Sequence, residues 1–152
     1  MYLSMLWLAS EIRSKISGLL SRKPSIPMSD EALLRRQVEQ ELERLNFRFV
    51  KHPHAMGLYP DFLVGLDMGR IAIIEVEAGF VSNGVVMLRR LRHTVEALEA
   101  DGGIMVVPEG DLDSGTAMLG WMVSDRPLAI VSWQGLAGML ASLVKKLSPA
   151  GV

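Results

Sequence analysis

The chain has 152 residues, 49% of them hydrophobic, with sixteen Lys and Arg against seventeen Asp and Glu and a formal net charge of −1. That is enough apolar material for one domain with its own core, and it excludes a disordered tail. The absence of cysteine rules out disulfides and thiolate metal sites and is compatible with a cytoplasmic protein. Near-neutral charge supplies no global field to recruit nucleic acid, so any such binding must come from a local patch.

Residues 1–20 carry Leu3, Leu6, Trp7, Ile12, Ile16, Leu19 and Leu20 at mostly helical spacing, interrupted by Glu11, Arg13 and Lys15. No positive segment precedes the short apolar run, which falls far below the roughly 20 residues needed to cross a bilayer. An amphipathic helix is expected here, with no membrane involvement, burying Leu3, Leu6 and Trp7 in a homodimer. Residues 21–28, with Pro24 and Pro27 beside Arg22 and Lys23, read as the linker to a domain over 29–147.

The pattern over 29–45 predicts a helix. Ser29 is its N-cap, Asp30 and Glu31 suit the positive end of the dipole, and Leu34, Val38, Leu42 and Leu45 form the buried stripe. Glu41 falls on the flank of that stripe, whereas Glu39 and Glu43 point away. Its plain structural reading is a half-solvated residue paired with Arg44 or Lys51. A strand over 47–51 follows, then a loop in which His52 and His54 flank Pro53 as solvated histidines.

Residues 59–77 hold the most information. Two apolar strands flank Asp67-Met68-Gly69, a three-residue hairpin loop with glycine at the position that calls for a left-handed conformation. Pairing Leu66 with Arg70 sets Asp61 opposite Glu75, with Cβ atoms about 5 Å apart on one face of the sheet. Glu77, two residues on, points the same way, and a one-residue slip would destroy the arrangement. Ile71-Ala72-Ile73-Ile74 reads as an interior strand covered on both faces. Carboxylates at its end are costly unless paired, protonated or bound to metal, and a divalent cation between Asp61, Glu75 and Glu77 would relieve that conflict.

A helix over 82–100 comes next, with Leu88, Leu91, Val95 and Leu98 on one stripe. Arg92 lies at the border of the stripe and Arg89 and Arg90 lie further out. Its basic residues read either as a solvated face or, with Lys51 and His52 beside the hairpin, as a nucleic-acid-binding patch of Lys51, His52, Arg89 and Arg90. A strand over 104–107, an acidic loop over 108–115, a short helix over 116–123, a strand over 128–133 and an amphipathic helix over 134–147 complete the chain. The loop lacks the ligand spacing of a calcium site. No phosphate-cradling glycine loop, dinucleotide fingerprint or nucleophile elbow is present. The expected fold is α/β, a central mixed sheet with the helices at 29–45 and 82–100 on opposite or adjacent faces.

Pro60-Asp61 followed by Glu75-Val76-Glu77 at the end of the next strand resembles the motif of the PD-(D/E)XK nuclease superfamily. This is the restriction-endonuclease-like fold that includes archaeal Holliday-junction resolvases and RecB-type nucleases. The order helix, three strands, helix, strand is also similar to that core, and the resemblance covers roughly two thirds of the chain. It implies a nuclease acting on DNA, with Asp61 and Glu75 holding Mg2+ or Mn2+ and Glu77 orienting the attacking water or accepting its proton. Most of the family has lysine where this chain has Glu77. Some restriction enzymes of the superfamily carry glutamate there, and others move the cation to the neighbouring helix, for which Arg92 is the candidate. Resolvase-like members complete the metal site with a glutamate on the first helix, which points to Glu41 or, counted back from Asn46-Phe47, to Gln37. The glutamate and the neutral net charge also fit a nuclease-like domain that has lost catalysis and binds DNA or protein partners.

Overall fold

The first helix begins where a side chain can satisfy its free N–H groups. In the computed structural model, which describes residues 29–120 and 122–147, Ser29 accepts from the Ala32 N–H at 3.1 Å and opens α1 (Asp30–Arg44). Leu34, Val38 and Leu42 turn inward. The helix stops at Asn46, which takes a left-handed φ of 61°, while the Phe47 N–H returns to the Leu42 carbonyl at 3.0 Å, the paired closure of a Schellman end. The amphipathic helix expected over 1–20, the linker and the homodimer through Leu3, Leu6 and Trp7 lie outside the described residues.

Five strands follow, β1 (Arg48–Lys51), β2 (Phe62–Gly65), β3 (Ile71–Val76), β4 (Gly102–Val106) and β5 (Leu128–Val131), and they lie side by side in chain order. The first three pair antiparallel and the last two join in parallel. Between β3 and β4 runs α2 (Phe80–Ala97), between β4 and β5 runs α3 (Leu112–Leu119), and α4 (Leu136–Leu147) closes the domain. Phe62 faces Ile74 and Gly65 faces Ile71, the register that the loop length dictates. Residues Asp67–Gly69 form the expected turn, with φ of 74° at Gly69 and also 58° at Met68.

Both faces of the sheet are covered at its centre, while the edge strand β1 is largely exposed. Ala72, Ile74 and Val76 of β3 pack with Leu34, Val38 and Leu42 of α1 and with Leu136, Leu140 and Leu143 of α4. Ile73 turns to the other side, against Phe80, Leu88, Leu91 and Val95 of α2. The two predicted helices therefore flank the sheet on opposite faces. In β4, a Cβ at Gly103 would lie 2.6 Å from Val95 Cγ2, so the missing side chain is what brings α2 down onto the sheet.

This is an α/β architecture with a mixed five-stranded sheet flanked by helices, the arrangement expected of a restriction-endonuclease-like core. Some boundaries moved. The segment 108–115 is a 3-10 turn at Glu109–Asp111 leading directly into α3, because Leu112 packs on the second core and anchors a helix earlier than the glycines suggested. Strand β5 ends before Ser132, where Trp133–Gly135 turns toward α4. Among the described residues no helix is long and apolar enough to cross a membrane.

Candidate active site at the end of the central hairpin

The β2–β3 register, carried one residue past the Phe62 and Ile74 pair, sets Asp61 across from Glu75. Here the ladder ends and side chains take over from backbone. The Asp61 carbonyl accepts from the His52 N–H at 2.8 Å. Its carboxylate accepts from the Val76 N–H at 2.7 Å through Oδ2 and from Arg35 Nε at 3.1 Å through Oδ1. Arg35 also reaches Glu31 at 2.8 Å, one turn earlier on α1. Glu31 in turn accepts from the Ala78 N–H at 3.4 Å, which ties the start of α1 to the chain leaving β3.

Glu75 is the electrostatic centre of this rim. It is 8% exposed, and its carboxyl is pushed up to about 8, by burial first and then by the negative charge of Asp61, with Arg90 opposing. A hydrogen bond to Asp61 favours the protonated form further, so at neutral pH Glu75 keeps its proton beside Asp61. Glu77 is half-buried and also shifted upward, by burial and then by Glu31, against the Gly79 N–H and Arg90. Four acids thus act on one another, Glu31, Asp61, Glu75 and Glu77, with two guanidiniums, Arg35 and Arg90, among them.

Other candidates from the sequence lie elsewhere. Glu41 is buried, but Arg44 grips both of its oxygens at 3.0 and 2.6 Å, and that hydrogen bond holds its carboxyl below the usual range. It sits ten residues after Glu31, about 15 Å further along the helix axis. Gln37 lines a separate groove with Trp133 and Gln134. Arg92 donates to the Val123 carbonyl at 3.0 Å and, with Arg89, borders a groove beside Met118 and Met122. Arg90, and not Arg92, is the cation of α2 that Glu75 and Glu77 feel. Lys51 pairs with Glu39 at 3.0 Å, and His52 is exposed, its backbone tied to Asp61.

Glu31 and Arg35 are what the sequence reading missed. A signal existed: Glu31 lies three residues before Leu34 and seven before Val38, so it continues the buried stripe. An acid on the core-facing side of a helix start is more than a partner for the dipole.

A divalent cation would find two of its ligands here. Among the described residues no three acidic or imidazole side chains converge closely enough to enclose an ion. Magnesium does not need three, because it is commonly held by one or two carboxylates and completes its shell with water and phosphate oxygens. The Asp61–Glu75 pair fits that requirement, since the proton retained by Glu75 marks the place where positive charge is lacking. No protein-family model matches this chain, and no curated protein matches its sequence.

Proposed function

We propose that this domain is a metal-dependent nuclease that hydrolyses DNA phosphodiester bonds, with Mg2+ or Mn2+ held by Asp61 and Glu75. The observation that carries the reading is the carboxyl pair set face to face by the β2–β3 register, with Glu75 buried and raised to about 8. Two acids pressed together at a covered strand end weaken the fold, and a cation between them reverses that effect. When bound, such an ion polarises a phosphoryl oxygen and acidifies a coordinated water. The chain's own residues do the rest. The Val76 N–H and Arg35 hold the Asp61 carboxylate in orientation, Glu77 orients the water and accepts its proton, and Arg90 faces the position where charge develops on phosphate. A cytoplasmic setting and a homodimer built on the apolar residues of 1–28 complete the proposal; light scattering should show a dimer for the full chain and a monomer for a chain starting at Pro27.

Cleavage of duplex, branched and single-stranded DNA with each metal tests the chemistry, alongside calorimetry of metal binding. Glu77→Lys is expected to impair cleavage or change its metal preference, because it removes the proton acceptor. A rise in activity would instead identify position 77 as a decayed lysine site. One observation favours a second reading, a non-catalytic domain that binds DNA or proteins: Arg35 already gives Asp61 a cation. A wild-type protein that cuts none of the three DNA forms and binds neither metal would make that second reading the right one.

A further inference from the structure

Between β1 and the acid pair the chain forms a small second hairpin, residues 52–60, that nothing described so far uses. Pro53 and Pro60 stand at its two legs, Pro60 buried. Ala55 and Leu58 exchange both backbone hydrogen bonds, at 3.2 and 2.9 Å. The two residues between them, Met56 at φ 55° and Gly57 at φ 76°, are both left-handed, as a tight primed turn demands. Asparagine, aspartate or glycine takes that conformation readily, whereas methionine is strained in it. Folding does not explain the choice, since Met56 is 77% and Tyr59 68% exposed. The rings of His54 and Tyr59 stack at 4.5 Å with 22° between their planes, so a pre-formed aromatic pair presents its outer faces to solvent.

Location and charge narrow the occupant. Tyr59 is two residues before Asp61, at most about 7 Å of extended chain, which is about two steps of a nucleic-acid strand at about 3.4 Å of rise each. Net attraction for a phosphate backbone is modest here, because the net charge is −1 and the adjoining rim sets Arg35 and Arg90 against four acids. Affinity must therefore come from base faces, which aromatic side chains and apolar wedges such as methionine supply. Bases offer those faces only when unpaired.

We propose that the hairpin of residues 52–60 is a stacking platform for the bases of an unpaired DNA strand, with His54 and Tyr59 offering a ring face and Met56 a wedge. The inference rests on the nuclease reading for DNA as the occupant and for the position of the scissile bond, while stacking itself requires neither metal nor cleavage. Anisotropy of a labelled oligothymidylate of about 12 nucleotides, with the full chain and no divalent metal, tests it. Tyr59→Ala should weaken binding about tenfold or more, Met56→Ser should weaken it less, and Tyr59→Phe should bind like wild type. An abasic oligomer of equal length should bind the wild type as poorly as oligothymidylate binds Tyr59→Ala. Equal affinity for the abasic and base-bearing strands, unchanged binding by Tyr59→Ala, or no binding of the single strand by wild type would each overturn the platform. A protein that stacks bases in this way and cuts nothing with either metal overturns the nuclease reading alone.

Discussion

Two glutamates of this domain are almost equally buried, Glu41 at 9% and Glu75 at 8% exposure, yet their carboxyls are shifted in opposite directions. Glu41 meets a guanidinium of its own helix, and its charge is welcomed. Glu75 has its charge resisted by burial first and then by the charge of Asp61 beside it. Burial raises both carboxyls, and what separates them is the neighbour: Arg44 outweighs that rise at Glu41, whereas Asp61 adds to it at Glu75. The first is an ion pair that closes the flank of α1, and the second is a deficit of positive charge at the end of a sheet.

The largest separation between the two is expected in activity. Asp61→Asn and Glu75→Gln should lower DNA cleavage about a thousandfold or more, because each deletes a ligand worth several kcal/mol to the reacting phosphate. Glu41→Gln should leave the rate within a factor of two or so of wild type in the same assay, an order-of-magnitude expectation for a distant, independent site. Comparable losses at both positions would erase the contrast.

Metal should sharpen it next. At pH 8, Mg2+ or Mn2+ at about a hundred times its dissociation constant should stabilise the wild-type fold by about 2.7 kcal/mol, read as a rise in melting temperature. That rise should vanish in Glu75→Gln and survive in Glu41→Gln.

Without metal, pH alone should separate them. The folded form of Glu75 holds its proton up to about 8 and the unfolded chain loses it near the ordinary value of 4.5. Between those limits the native state binds more protons, so stability declines as pH rises through the interval. Glu75→Gln should therefore melt higher than wild type at pH 8 and match it at pH 4. Glu41 runs the other way, its contribution present above the ordinary carboxylate value and lost as pH falls through its depressed one. The smallest effect is the loss of that ion pair: with Arg44 largely exposed and its charge screened by water, Glu41→Gln should lower the urea midpoint at pH 7 only slightly.

The acid pair was legible because a short loop fixes register: Asp67-Met68-Gly69 leaves Asp61 only one partner across the strand, and the alternation of side chains does the rest. The helices were legible in angle but not in height or hand. Periodicity put both Glu41 and Arg92 at the border of an apolar stripe, where the structure also finds them. A helix has two borders, however, and the sequence does not say which neighbour each will meet. Arg90 and Arg92 lie on opposite sides of the α2 stripe, one toward the acids and one toward the Val123 carbonyl. Glu31 and Glu41 share α1 but sit almost three turns apart, and the choice between them depends on where the start of that helix crosses the end of β3. That crossing is a tertiary fact. His54 reads as a solvated histidine and Tyr59 as the start of a strand for the same reason, since their stacking is made by a turn with a left-handed methionine that local preference does not favour.

The strictly sequential strand order has a kinetic consequence. Asp61 and Glu75 meet within a single antiparallel hairpin, a contact of short sequence separation that closes early, whereas the cover over Glu75 requires the whole α2 crossover and the parallel pairing of β4. The two acids come together while still in water, and proton uptake waits until the helix lands. The transition state has then not yet felt the repulsion. In denaturant-jump experiments without metal at pH 5 and pH 8, the refolding limb should coincide and the unfolding limb should be faster at pH 8. The acid pair sets how long the native domain lasts, while the rate at which it forms is set elsewhere.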